Sequence, residues 1–72
     1  MKNEKTVYII MEETTGNMPR MIVGCYADKE LAKRHLAEWA DYVGAVEKPR
    51  GRYKLESTET IIRWILSQNL IE

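Results

Sequence analysis

The stretch Ser57-Thr58-Glu59-Thr60-Ile61-Ile62-Arg63-Trp64-Ile65-Leu66-Ser67-Gln68 decides the fold. Ser57 or Thr58 suits a helix N-cap, and Glu59 would sit in the first turn. Ile61, Ile62, Ile65 and Leu66 cluster at helical spacing. These features predict a helix over residues 58–68. The competing reading is a fourth strand, because Ile61-Ile62-Arg63-Trp64-Ile65 is β-branched and aromatic.

Just before it, Arg52-Tyr53-Lys54-Leu55-Glu56 alternates cleanly. Tyr53 and Leu55 point inward and three charges point outward, the pattern of an edge strand with one wet face. Residues 45–51, with Pro49 and Gly51, read as a loop. Further upstream, residues 29–43 run without Gly or Pro. Leu31, Ala32, His35, Leu36, Trp39, Tyr42 and Val43 share one side of a helical wheel, and Lys33, Arg34, Glu38 and Asp41 share the other. Asp28 is placed to cap this helix and Gly44 to end it. The N-terminal third holds two strand patterns, Lys5–Glu12 and Arg20–Tyr26. Gly16 and Asn17 lie between them and tolerate the positive φ that a tight reversal needs, so the pair reads as an antiparallel hairpin. Pro19 belongs at the start of the second strand. Both faces of the first strand are apolar: Val7, Ile9 and Met11 on one, Tyr8 and Ile10 on the other. That strand is expected to be central in its sheet.

The expected fold class is α+β, one domain over residues 1–72. It has two layers, a three-stranded antiparallel sheet and the order β-β-α-β-α. The core would draw on Val7, Ile9, Met11, Met21, Val23, Leu31, Ala32, Leu36, Trp39, Val43, Tyr53, Leu55, Ile61, Ile62 and Ile65. A chain of 72 residues buries only about 60 % of its unfolded surface. Self-association through Trp64, Ile65, Leu70 and Ile71 would add to its stability, so a homo-oligomer is one expectation.

Composition narrows the function. Eleven Lys+Arg balance eleven Asp+Glu, which disfavours a strongly basic protein that coats nucleic acid. No apolar run is long enough to span a bilayer, and five apolar residues after Lys5 and Thr6 do not make a signal peptide, so a cytoplasmic location is expected. The single cysteine, Cys25, forms neither an internal disulfide nor a metal cluster. Cys25 and His35 are the one nucleophile–base pairing on offer, but nothing in the sequence supplies an oxyanion hole. Glu4, Glu12, Glu13 and Glu56 read as a solvated rim rather than a facing carboxylate pair. No phosphate-loop, dinucleotide-binding or metalloprotease signature is present. The expectation is a non-enzyme, without cofactor or metal.

Two binding readings follow. Tyr8, Ile10, Met18, Trp64 and Ile65 are the candidates for a protein-binding surface, with Met18 at a turn where no core is available. The alternative is nucleic acid held by Lys48, Arg50, Arg52, Tyr53 and Lys54, extended by Lys33 and Arg34. Val7-Tyr8-Ile9-Ile10, the run Ile22-Val23-Gly24-Cys25-Tyr26-Ala27-Asp28-Lys29-Glu30-Leu31-Ala32, and Tyr53-Lys54-Leu55-Glu56 together resemble a type of short β-β-α-β protein encoded by bacteriophages and prophages. The resemblance runs from Thr6 to Glu56, rests on structural residues and defines no catalytic ones. It implies an accessory protein of a phage or mobile element that binds a host protein.

Overall fold

The computed structural model describes residues 4–15 and 20–71. In chain order the elements are β1 (Glu4–Thr14), β2 (Met21–Tyr26), α1 (Lys29–Val43), β3 (Val46–Lys48), β4 (Arg52–Glu56) and β5 (Thr60–Ile71). The strands form one antiparallel sheet in the order β2-β1-β5-β4-β3, and α1 packs on one face of it.

This corrects the expected fold in three places. The sheet has five strands, not three. Residues 58–68 are not a second helix: β5 begins at Thr60 and pairs with β1 from Thr14↔Ile61 to Glu4↔Ile71. The supposed loop 45–51 holds β3, and only Pro49–Gly51 form a turn. As a result β4 is paired on both sides and is not an edge.

The physical reason for β5 lies in its partner. An isolated helix of eleven residues is marginal, and a β-branched run loses side-chain freedom in it. As a strand, the same residues satisfy the backbone of β1 along its whole length. The residues expected to cap a helix serve a turn instead, for Ser and Thr favour both. The Ser57 N–H donates to the Glu59 carbonyl at 3.2 Å and closes the β4–β5 reversal.

The helix matches its capping signals, while Tyr42, expected on its apolar side, is 90 % exposed at its last turn. Asp28 is extended and its carboxylate accepts from the Glu30 N–H at 3.0 Å. Gly44 takes φ +81°, a left-handed conformation that glycine adopts without strain, and its N–H donates to the Ala40 carbonyl at 2.8 Å. Removing the cap by Asp28→Ala is expected to cost about 1 kcal/mol, read as a lower midpoint in urea with an unchanged slope.

β1 and β2 pair as the expected hairpin arms, while its turn, with Gly16, Asn17, Met18 and Pro19, lies outside the described residues. The register shifts by one residue between Ile10↔Gly24 and Met11↔Ile22, a β-bulge at Val23. Cross-strand partners share a face. Arg63 lies under Trp39 of α1, so the odd-numbered residues of β5 face the helix. Through their pairing, Tyr8, Ile10, Glu12, Gly24, Tyr26, Tyr53 and Leu55 face it too. Gly24 lies under the Tyr26 ring, which stacks on His35: a Cβ there would lie 2.8 Å from the ring and push it aside.

The core is therefore reversed from expectation on β1. Ile10 is buried on the face that α1 covers, and with Ala32, Leu36 and Ala40 of the helix it makes up the buried hydrophobic residues among those described. Val7, Ile9 and Met11 lie on the far side of the sheet. Alternation defines two faces but not which one a helix covers when both are apolar.

Candidate functional site

The far face of the sheet carries the most distinctive surface. Val7, Ile9 and Met11 from β1 stand beside Gln68, Leu66 and Trp64 from β5. Ile22 opposes Met11 from β2, and Cys25 opposes Ile9. Ile62 follows on the other side, opposite Lys54. No element among the described residues packs on this face. Ile22 is 64 % exposed, Leu66 44 % and Leu70 45 %, whereas Met11, Trp64 and Ile9 are half-buried by their neighbours.

Charged side chains frame this apolar strip. The guanidinium groups of Arg20 and Arg52 lie 5.6 and 5.8 Å from the Trp64 ring centroid, within reach of its negative face. Arg20 also meets Glu13 at 3.7 Å, and Lys54 meets Glu56 at 3.1 Å. A half-buried tryptophan flanked by arginines, with aliphatic neighbours and a charged border, has the composition of an interface centre with its rim.

Of the sequence candidates for protein binding, Trp64 is on this face. Ile10 is buried under α1 and takes no part in a surface. Tyr8 and Ile65 are half-buried on the helix side. Met18 lies outside the described residues. Ile9, Ile22 and Leu66 were missed as surface residues. Their signal was available: read as a strand, Ile62, Trp64 and Leu66 alternate in phase with Val7, Ile9 and Met11.

On the helix side, a groove of about 670 Å³ runs between α1, the Pro49–Gly51 turn and the outer flank of β5. Lys29, Lys33, Arg34 and Arg50 line it, with Glu30 and Glu47 among them, over Tyr53, Ile65 and Ser67. The basic cluster read from the sequence is thus divided by the sheet. Arg50 and Tyr53 reach this groove and join Lys33 and Arg34. Lys48, Arg52 and Lys54 belong by register to the opposite face. Arg50 holds φ 69°, a left-handed conformation uncommon for a residue with a Cβ.

The catalytic pairings do not assemble. Cys25 shares the open face with Ile9, while His35 stacks on Tyr26 at 5.0 Å on the helix side, so the sheet separates them. Glu12, Glu13 and Glu56 each meet a different cation. Among the described residues no three His, Cys, Asp or Glu gather as metal ligands, and no helix is long and apolar enough to cross a membrane. No protein-family model, curated protein or solved structure matches the chain.

Proposed function

We propose that the chain is a non-enzymatic protein-binding module and that the open sheet face is its contact surface. The observation that carries this reading is the exposure of Ile22 and Leu66 near Trp64, and of Leu70 further along β5, on a face that no other element covers among the described residues. Contiguous exposed apolar surface is a liability unless a partner takes it up. Binding would bury the aliphatic strip and the indole, while Arg20, Arg52 and Lys54 supply orientation at the rim. A phage or mobile-element accessory protein acting on a host protein is the setting that the resemblance over Thr6–Glu56 implies.

The test is capture of a partner from bacterial lysate by the tagged chain, with and without nuclease. A protein retained after nuclease by the wild type, and lost with both Trp64→Ser and Leu66→Ser, is the expected result. Both changes shorten exposed or half-exposed side chains, and circular dichroism checks that the fold persists. Retention by both variants overturns the assignment of the face.

A second reading, nucleic-acid binding, is favoured by one observation: Lys29, Lys33, Arg34 and Arg50 converge on one groove beside Tyr53. In the same experiment it predicts recovery of nucleic acid, loss of captured material on nuclease treatment, and affinity that falls steeply with salt.

A further inference from the structure

β1 and β5 are much longer than their neighbours. β2 stops at Tyr26, opposite Tyr8, and β4 starts at Arg52, beyond its pair Tyr53↔Arg63. Glu4–Val7 and Gln68–Ile71 therefore continue as a two-stranded arm with no third strand among the described residues. The arm contributes to a longest dimension of 50 Å, against 26 and 18 Å in the others. A two-stranded ribbon is at best marginally stable in water and gains from a third strand.

The other edges of the sheet are guarded. β2 carries the bulge at Val23, and β3 is three residues long with Glu47 and Lys48 in it. The outer flank of the arm on the β1 side contains Glu4 and Lys5. The flank on the β5 side, Ile65-Leu66-Ser67-Gln68-Asn69-Leu70-Ile71, contains no charge, no Pro and no Gly. Its own side chains do not defend it; the cations that line the helix-side groove next to Ile65 and Ser67 leave the stretch from Gln68 to Ile71 as the open part of the edge.

Its hydrogen-bonding phase is fixed. The Thr15 N–H donates to the Thr60 carbonyl at 3.0 Å. In an antiparallel ladder, hydrogen-bonded pairs recur every second residue, so the even-numbered residues of β5 bond to β1. The Ser57–Glu59 bond sets the same phase on the β4 side, where odd-numbered residues are engaged. Beyond Ile65 that side has no strand among the described residues, and Ser67 and Asn69 turn their N–H and C=O groups to the edge, where a weak 3.5 Å bond from Gln68 Nε2 to the Asn69 carbonyl has to give way to a second strand.

The edge sequence reads nearly the same in both directions about Gln68: Ile65 with Ile71, Leu66 with Leu70, Ser67 with Asn69. We propose that the chain forms a two-fold symmetric dimer by antiparallel pairing of β5 with β5 of a second copy, centred on Gln68. Ser67 of one protomer then hydrogen-bonds through its backbone to Asn69 of the other. Leu66 falls beside Leu70 on the open face, like against like. The two five-stranded sheets join into one of ten strands, and the two open faces become one continuous surface. A closed two-fold contact uses the same patch on both copies, which a near-palindromic strand satisfies.

The experiment is sedimentation of the full chain over a concentration series. The wild type is expected at twice the 8.4 kDa chain mass. Gln68→Lys places two ammonium groups opposite each other on the two-fold axis and is expected at the single-chain mass with an unchanged circular dichroism spectrum. It leaves Trp64 and Leu66 in place, so partner capture is scored independently. Gln68→Cys, in a Cys25→Ser background, is expected to cross-link on treatment with diamide, which takes up the two electrons and two protons released as the S–S bond forms. The two cysteines form a non-hydrogen-bonded pair, where Cβ atoms approach to about 4.5–5.5 Å. Leu66→Cys in the same background faces Leu70 and is expected to stay uncross-linked. A wild type at the single-chain mass throughout overturns the dimer. A dimer in which Gln68→Cys fails to cross-link, or Leu66→Cys links equally well, overturns the register.

Discussion

Leu36→Ala is expected to remove about 3 kcal/mol of stability and to lower the thermal midpoint by roughly 12–24 °C. Leu36 is 2 % exposed and sits between Ala32 and Ala40 on the one face of α1 that meets the sheet. Truncating a buried leucine costs about 2–5 kcal/mol, part lost transfer energy and part cavity. A domain of this length has a total stability of roughly 4–11 kcal/mol. Among the described residues four make up the buried apolar set: Leu36, the alanines one turn to either side of it, and Ile10 on the sheet face that the helix covers. Alanine neighbours have no side chain with which to close the gap. In thermal melts, a loss of about 3 kcal/mol lowers the midpoint by roughly 12–24 °C for a domain this small. A fall of only a few degrees would show that the sheet and helix collapse into the space.

Arg63→Ala is expected to be nearly as damaging. The Arg63 Nε donates to Glu12 Oε1 at 2.7 Å, on neighbouring central strands and on the side covered by α1. Side-chain exposures of 22 % and 14 % keep most water away from the pair. The same guanidinium lies 4.2 Å from the Trp39 ring centroid, so one group ties β1, β5 and the helix together. Removing it strands the Glu12 carboxylate in a poorly hydrated place and exposes one face of the indole. The expected loss is about 2–3 kcal/mol, measured as the drop in unfolding free energy in urea. The double variant Glu12→Leu/Arg63→Met is expected to recover most of it, because no uncompensated charge is left behind. If the double variant loses as much as the single one, the ion pair itself rather than the stranded charge is the stabilising element.

Arg63 also shows why the last third of the chain was misread. On a helical wheel, a charge between Ile62 and Trp64 falls on the solvent side and fits an amphipathic helix. In the sheet it points inward between Ile61 and Ile65, which a strand pattern tolerates only with a partner. That partner, Glu12, is 51 residues away. The expected edge role of β4 failed for a related reason. Lys54 stands beside Ile62 and meets Glu56 on a wet face, and a wet face does not reveal whether a neighbouring strand is bonded at the side.

The surface candidates were subject to the same limit. Trp64 was named from its residue type and lies on the open face, whereas Ile10 was placed on an exposed face that the helix covers. The basic run 48–54 looked like one patch because its residues are adjacent in sequence. In a strand, adjacent residues point to opposite faces, and the sheet divides Tyr53 from Arg52 and Lys54.

By itself the sequence determined what rests on local chemistry. Asp28 and Gly44 bound a helix of known length, Ala32 and Leu36 lie on its expected apolar side, and two β-branched runs around Gly16-Asn17 make paired strands, whereas the burial of Ala40 came only with the structure. These depend on caps, periodicity and turns within a few residues. Tertiary structure alone decided that residues 60–71 are a strand, which face of β1 the helix covers, and which apolar residues remain outside. Each of those depends on backbone pairing or a charge partner far along the chain, and the energies of such contacts are not written in the pattern of either segment alone.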